Sequence, residues 1–480
     1  PGVPEPVSMA DTLPIREPGE RPGGEDLADL LDEALSDEVG HVFSVSRAVS
    51  GTPEARNVTH FDEVVPSAWF EHRIAGGGLI PARAAKGPPG PDPSPPFTVL
   101  DLKAEGVTPG FTVEDAEGHV WLLKLDPPGM EGLTTGADVV TSRIFWAAGY
   151  HVPRDVVTRL DPPRLRLAAD ATVEEDEGER PLERADVMAA LRDTDRAADG
   201  TVRVLASLFL DGVPKGPFSF EAIRPDDPND HYPHEDRREL RGMWVPAMWT
   251  NHVDLRWQNT LDMWHPEPGY LKHHLIDFGT SLGSGGIRPL NPREGREYSL
   301  DVVASVTRLL TLGFYRVGWE GMDATPIHPS LGWLPVASYD PAAWRPFYPA
   351  EPFRRLLDRD GYWGAKLVAA FRREHIEAIV AEARYPGAAA DTLVEILVER
   401  RRRTVAHWFG RVTPVEEVEA RWKGGHLVLS FRDLALEEDL RSPEGTVYRW
   451  RVPGIQSGKG SARGATEARQ AVELRLGDDV

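Results

Sequence analysis

Hydrophobic patterning changes character along the chain. From Phe97 to Leu125 short apolar runs alternate with turns, predicting strands at Thr98 to Lys103, Gly110 to Glu114 and Val120 to Leu125. Gly106-Val107-Thr108-Pro109-Gly110 reads as the turn between the first two, and Asp115 to Gly118 as the next turn. Helical spacing then predicts a helix from Thr135 to Ala148, stopped by Gly149. Another strand is expected at Asp155 to Leu160. Residues 161–200 read as an insertion with an acidic, solvated run at Glu174 to Glu177 and a helix near Leu182 to Asp193. Val202 to Leu210 is the next strand, and Asp211 to Pro214 its turn.

Farther on, helices are expected at Arg238 to Asn251, Asp301 to Leu312, Arg354 to Arg384 (broken near Gly361) and Thr392 to Phe409. Residues 412–478 alternate polar and apolar, as in His426 to Phe431 and Thr446 to Val452, and predict a small β module. Residues 1–56 are rich in Pro, Gly and acid and read as an extended tail with one amphipathic stretch, Glu25 to Val39. Residues 57–75 hold Phe61, Trp69 and Phe70, a density expected of a segment docked on the main fold or on a partner. Residues 86–96 are a proline-rich connector. The pattern predicts an α+β fold in four parts: an N-terminal extension over 1–96, a strand-rich part over 97–210, a helical part over 211–410 and a β-rich module over 411–480.

With 480 residues and 41% hydrophobic positions, the chain is long enough for two lobes plus accessory segments. No apolar run approaches the length of a membrane span. The net charge of −22 argues against a nucleic-acid partner and against broad adhesion to anionic lipid. Without cysteine there is no disulfide, thiolate nucleophile or thiolate metal site. The chain starts at Pro1 with no charged-then-apolar leader, the appearance of a mature or trimmed product.

Three stretches carry candidate chemistry. His119 to Leu125 is an apolar strand with one lysine, Lys124, whose ordinary role would be to snorkel to the surface. Asn251-His252-Val253-Asp254-Leu255-Arg256-Trp257-Gln258-Asn259 sets Asn259 five residues after Asp254. His274 to Gly279 runs an apolar strand into Asp277-Phe278-Gly279. Singly these read as a surface lysine, a capping loop and a turn. In this order they supply what phosphoryl transfer needs: a lysine for nucleotide phosphates, an aspartate to orient the attacking hydroxyl, and an Asn/Asp pair for magnesium. The acid facing Lys124 is Asp138 on the following helix, with Glu131 as the alternative. Gly106 and Gly110 form a glycine turn whose N–H groups fit phosphate, although the spacing is not G-x-G-x-x-G. The block Arg224 to Glu235 invites a metal or polar ligand, but a loop folded by Asx turns is favoured. His252, His273 and His274 do not converge, since His273 and His274 alternate across a strand.

Residues 97–283 resemble kinase-like proteins of the HipA and phosphoinositide-kinase-like type, through the short glycine turn, Gly149-Tyr150-His151-Val152-Pro153 and the lack of Ala-Pro-Glu after Asp277. Val107 to Phe111, Arg224 to Glu235 and His274 to Gly283 are also similar to a family of uncharacterised, usually exported bacterial proteins. The resemblance implies a two-lobed fold divided near residue 210. It implies that ATP and Mg²⁺ bind, with Lys124 on the phosphates, Asp138 orienting Lys124, Asn259 and Asp277 on the metal, Asp254 positioning the acceptor hydroxyl and Arg256 beside the transferring phosphate. It departs from protein kinases in using Asp at 138 where they use Glu. Two readings follow: an ATP-Mg²⁺ phosphotransferase acting on a protein or small-molecule hydroxyl, or an inactive kinase-fold scaffold of an exported, periplasmic or extracellular assembly, meeting a protein partner through residues 57–75 or 411–480.

Overall fold

Strand alternation sets up the central sheet. β1 (Thr98–Lys103), β2 (Gly110–Glu114) and β3 (Val120–Leu125) form an antiparallel meander at the expected positions. β4 (Asp155–Leu160), β5 (Arg166–Glu175), β6 (Gly178–Pro181) and β7 (Val202–Leu208) complete a seven-stranded sheet of order β4-β7-β3-β2-β1-β5-β6. Only the β1–β5 pairing is parallel. The computed structural model describes residues 10–21, 52–103, 110–175, 178–299, 318–423, 426–452, 456–461 and 469–474. Gly106 and the helices expected at Glu25 to Val39 and Asp301 to Leu312 lie outside these residues.

The excursion between β4 and β7 is more than a solvated insertion. It leaves and re-enters the sheet at paired neighbours, Leu160 and Val202. Between them it adds β5 and β6 to the far edge and the helix α3 (Arg184–Ala190). Its Leu165, Ala171, Val173, Leu182, Val187 and Leu191 join Phe97, Phe111, Trp121, Leu123 and Leu125 in one buried cluster. Each large side chain so buried stabilises the fold by about 1.5–3 kcal/mol. Because side chains alternate across a strand, Lys124 projects to the opposite face of β3 from Leu123 and Leu125.

Along that opposite face runs α2 (Leu133–Ala148), preceded in the chain by the short α1 (Pro81–Lys86). Every residue of α2 is buried. Its free N–H groups are capped by Asp126, which accepts from the backbone N–H groups of Gly132, Thr134 and Thr135 at 2.8–2.9 Å and from the Thr135 hydroxyl. Buried Arg203 on β7 sits 3.4 Å from the same carboxylate. Replacing Asp126 with Ala therefore removes the cap and the carboxylate beside a buried guanidinium, which keeps only neutral acceptors on Thr135, Ala383 and Arg384. The expected loss is about 3–5 kcal/mol, read as a lowered urea midpoint. Asp126→Asn, which keeps an acceptor for the helix end, is expected to lose less.

Helices follow: α4 (Arg238–Gly242), α5 (Trp244–Thr250), α6 (Glu351–Arg354), α7 (Asp358–Ala369), α8 (Arg373–Glu382) and α9 (Ala389–Phe409). The single helix expected at Arg238 to Asn251 is interrupted at Met243. The break expected near Gly361 does not occur there. Gly361 lies inside α7, and the breaks fall at Arg355–Leu357 and Ala370–Arg372. Gly364, also in α7, packs so close to the Gly242 carbonyl that a Cβ would stand 2.4 Å from it; small residues here serve helix contact rather than a stop. A second sheet, β10-β9-β8, is built from β8 (Val213–Pro214), β9 (Thr260–His265) and β10 (Tyr270–Leu275).

Two N-terminal segments lie on this part of the fold. Residues 57–75 dock as expected on their own chain: Trp69 stacks on His273 with centroids 3.5 Å apart, and Phe70 packs against Tyr150 and Trp363. Trp69 and Phe70 are buried and present no surface to a partner. Residues 10–21 form an extended strap. Ile15 N–H bonds the Gly269 carbonyl in the β9–β10 turn, Arg21 N–H bonds the Lys215 carbonyl, and the Asp11 carboxylate accepts Ala68 N–H.

Contacts divide the chain into two units, Pro1–Arg401 and Arg402–Val480, with the division inside α9. The second unit holds β11 (Val415–Lys423), β12 (His426–Asp433) and β15 (Arg469–Leu474) in one antiparallel sheet, and β13 (Val447–Val452) paired with β14 (Gln456–Ser461). The short α10 (Leu434–Glu437) is capped by Asp433, which also accepts the Tyr448 hydroxyl at 2.7 Å. Among the described residues no helix is long and apolar enough to cross a membrane.

Candidate functional site

Lys124 and Asp138 meet because β3 and α2 each turn one polar side chain toward the other. The Lys124 ammonium lies 3.2 Å from Asp138 Oδ2 and 2.9 Å from Asp277 Oδ1. Asp138 is almost fully buried, whereas the Asp277 side chain is 48% exposed. Burial opposes the charge on Lys124, but Asp138, Asp277 and Asp155 together hold its pKa above the usual lysine value. Lys124 in turn draws the Asp277 carboxyl below the usual range. Burial raises the Asp138 carboxyl against the pull of Lys124. Glu131 is engaged elsewhere, 2.9 Å from Arg159.

A hairpin brings Asn259 and Asp277 together. β9 and β10 pair Thr260 with Leu275, and the Asn259 carbonyl accepts Ile276 N–H at 3.0 Å. Asn259 at one strand's entrance and Asp277 at the other's exit are thus neighbours. Asn251, in left-handed backbone, ends α5, and an extended loop follows. Val253 and Leu255 are buried anchors, and alternation turns Asp254 and Arg256 the other way. Val253 N–H bonds the Thr280 carbonyl, and the His252 ring N–H bonds that same carbonyl at 3.1 Å, tying this loop to the segment after Gly279.

Asp254 is held by two neighbours. The Asn259 amide donates to its Oδ2 at 3.1 Å and to its backbone carbonyl at 2.9 Å, and Arg256 Nε lies 3.4 Å from its Oδ1. Burial raises the Asp254 carboxyl, partly offset by Arg256. Phe278 turns inward between Phe145 of α2 and His252, 5.2 and 5.3 Å between centroids. Asp277 takes a positive φ of 59°, which sends its carboxylate toward Lys124. Gly279 cannot bear a side chain: a Cβ would approach Thr134 to 2.9 Å.

Sequence reasoning missed two members of this neighbourhood. Asp155 opens β4 opposite Ser207, is buried, and adds a third carboxylate around Lys124, its pKa raised by burial. Its signal was a lone acid at the start of an apolar strand, which reads equally as a turn residue. Tyr348 lies far along the chain. Its segment crosses the Asp254 loop through the Phe347 N–H to Val253 carbonyl bond, 2.7 Å, and burial together with the Asp254 charge raises its phenol pKa. Gly110 is placed at the start of β2 beside Lys124 of β3.

The block Arg224 to Glu235 folds around its own side chains. Asp230 accepts the Arg224 N–H and binds Arg237 and His234, while the other His234 nitrogen meets the Ser219 carbonyl. With both ring nitrogens occupied, His234 is not a metal ligand. Arg224 reaches buried Asp262, which also holds His273 at 2.6 Å. His274 turns to the other side and lies tilted against His151, with ring centroids 5.8 Å apart. Among the described residues no group of three His, Asp, Glu or Cys side chains holds a metal by itself. No family model matches the chain, and no curated protein matches it.

Proposed function

We propose that this protein is a phosphotransferase of kinase-like, two-lobed fold that moves the γ-phosphoryl of a magnesium-bound nucleoside triphosphate to a hydroxyl. The particular nucleotide is ATP and the acceptor a protein or small-molecule hydroxyl. One observation carries the reading: Lys124 bridges Asp138 and Asp277, while Asp254 and Asn259 stand bonded to each other at the mouth of the hairpin that presents Asp277. The strand order β1-β2-β3-β7-β4, with one helix behind the lysine strand, supports it.

The donor set fits magnesium. Asp277 offers a half-exposed carboxylate and Asn259 an amide oxygen, its NH₂ being spent on Asp254. Mg²⁺ needs only one or two such oxygens when phosphates and water complete its shell, so the lack of a three-ligand cage is no obstacle. When bound, the ion would neutralise phosphate charge. The chain's own work is to fix the phosphates with Lys124, hold the acceptor hydroxyl at Asp254, and keep Arg256 near the charge that develops.

Calorimetry at millimolar ATP tests this. The wild type is expected to bind ATP only with Mg²⁺ present, and Lys124→Met and Asp277→Asn each to weaken that binding at least about tenfold, the worth of one charge-assisted contact. Binding indifferent to Mg²⁺ and to both substitutions would overturn the assignment and leave a scaffold role.

A further inference from the structure

The outer strand of the C-terminal sheet carries apolar side chains that its own chain leaves in water. The sheet order β11-β12-β15 puts β11 at an edge, with one long side unpaired among the described residues. Alternation places Val418, Ala420 and Trp422 on one face of this strand and Glu419 and Arg421 on the other. Val418 is 56% exposed and Trp422 67%. Farther into the sheet the same face is covered. Ala420 stands opposite Leu429, and Phe431, two residues on, is buried against Tyr448 with centroids 4.8 Å apart. The cover stops short of the edge strand. An open edge with exposed apolar side chains is a template for a further strand.

The residues of β11 single out which strand fits. When two identical strands pair antiparallel about a twofold axis, facing residues must lie on the same side of the sheet. The axis therefore passes through a residue and never between two. Centred on Glu419, the pair sets Glu419 against itself; centred on Arg421, it sets Arg421 against itself. Like charges directly opposite destabilise a sheet. Centred on Ala420, Glu419 faces Arg421 twice, Val418 faces Trp422 twice and Ala420 faces Ala420. Opposite charges and aromatic–β-branched pairs are the combinations that stabilise neighbouring strands. Within one chain Arg421 bridges Glu419 at 2.9 Å with its side chain 76% exposed, so its charge is within reach of a second strand. The ladder with β12 slips between Glu416 and Glu419, and Glu417 takes a positive φ of 52°. That bulge bends the edge and limits pairing to a short segment. Residues 402–480 hold thirteen Lys and Arg against twelve Asp and Glu, so the strong negative charge of the chain lies elsewhere and does not oppose self-contact here.

We propose that β11 pairs antiparallel with β11 of a second copy of this chain, about a twofold axis at Ala420, to form a homodimer. Each copy presents the same surface, so the contact closes at two chains and does not propagate. Few residues take part, which places it among the small, reversible interfaces. The dimer does not depend on the phosphotransferase reading.

Sedimentation equilibrium of the full chain over a wide concentration range tests this. The wild type is expected to move from the monomer mass of 53.1 kDa to twice that value as concentration rises. Trp422→Ser, Glu419→Arg and Arg421→Glu, made separately, are each expected to weaken the dimer at least about tenfold. Mixing the two charge variants is expected to restore it. One then presents two basic residues to two acidic residues of the other, and no folding defect produces such a rescue. A wild type that stays monomeric at every concentration would overturn the proposal. A dimer untouched by all three substitutions would place the contact on another surface and overturn it as well. Charge variants that dissociate alone and do not combine when mixed would overturn the pairing centred on Ala420. Masses that grow past two chains would overturn the closed twofold contact.

Discussion

Asp254→Asn is expected to reduce phosphoryl transfer by about 10²–10⁴-fold while leaving Mg²⁺-ATP affinity within a few-fold of wild type. The substitution keeps the shape of the side chain and an oxygen for the Asn259 amide, 3.1 Å away. It removes the negative charge that, on the phosphotransferase reading, would take the acceptor proton. Arg256, 3.4 Å from Asp254, loses its ion partner. Asp277→Asn should behave differently. Its carboxylate pairs with Lys124 and would hold the metal, so nucleotide affinity and turnover should fall together. Kinetics combined with calorimetry on the two variants separate these roles. Equal turnover of wild type and Asp254→Asn would remove Asp254 from the chemistry.

The second large effect concerns acid. His252 and His274 are buried, and burial depresses their pKa values from 6.5 to about 4 and about 3. The folded protein therefore binds fewer protons than the unfolded chain between these values and 6.5. Stability contributed by keeping both neutral is complete above pH 6.5 and is lost as pH falls through that window. Each histidine contributes a slope of about 1.4 kcal/mol per pH unit, and the pair about 2.8. Buried carboxyls with raised values, such as Asp155 and Asp254, act in the opposite sense. The informative quantity is thus the difference in slope between wild type and a His252→Gln/His274→Gln double variant, from urea unfolding at pH 7, 6 and 5. Parallel slopes would show that these rings do not set the acid limit.

Local pattern carried much of the strand-rich part. β1, β2, β3 and β4 fall at the residues where alternation puts them, because each has one face in the buried cluster and one away from it. Lys124, Asp138, Asp254, Asn259 and Asp277 were legible because their spacing is tied to elements that alternate or cap in predictable ways. Tyr348 was not. Its segment is brought to the Asp254 loop by a backbone bond between residues nearly a hundred positions apart, and nothing local marks it. Asp126 was hidden for a similar reason: a helix cap supplied from several residues before the helix looks like any loop acid. The breaks near Arg355 and Arg372 escaped because glycines were taken as stops, whereas Gly364 serves close helix packing. The role of Asp230, which gathers His234 and Arg237, also depends on folding rather than on spacing.

The pairing of Leu160 with Val202 has an evolutionary consequence. Because the excursion between them begins and ends at adjacent strands, a tight turn would join β4 to β7 equally well, and the length of this stretch is free to drift without moving Lys124. What is not free is its cargo. Leu165, Val173, Leu182, Val187 and Leu191 cover Trp121 and Leu123, so a descendant that discarded the excursion would bare an apolar sheet face. Relatives with a short link between these strands should therefore carry polar residues at the positions of Trp121 and Leu123, or recruit another segment as cover. Gain or loss of the excursion and the polarity of β3's far face should change together in the lineage.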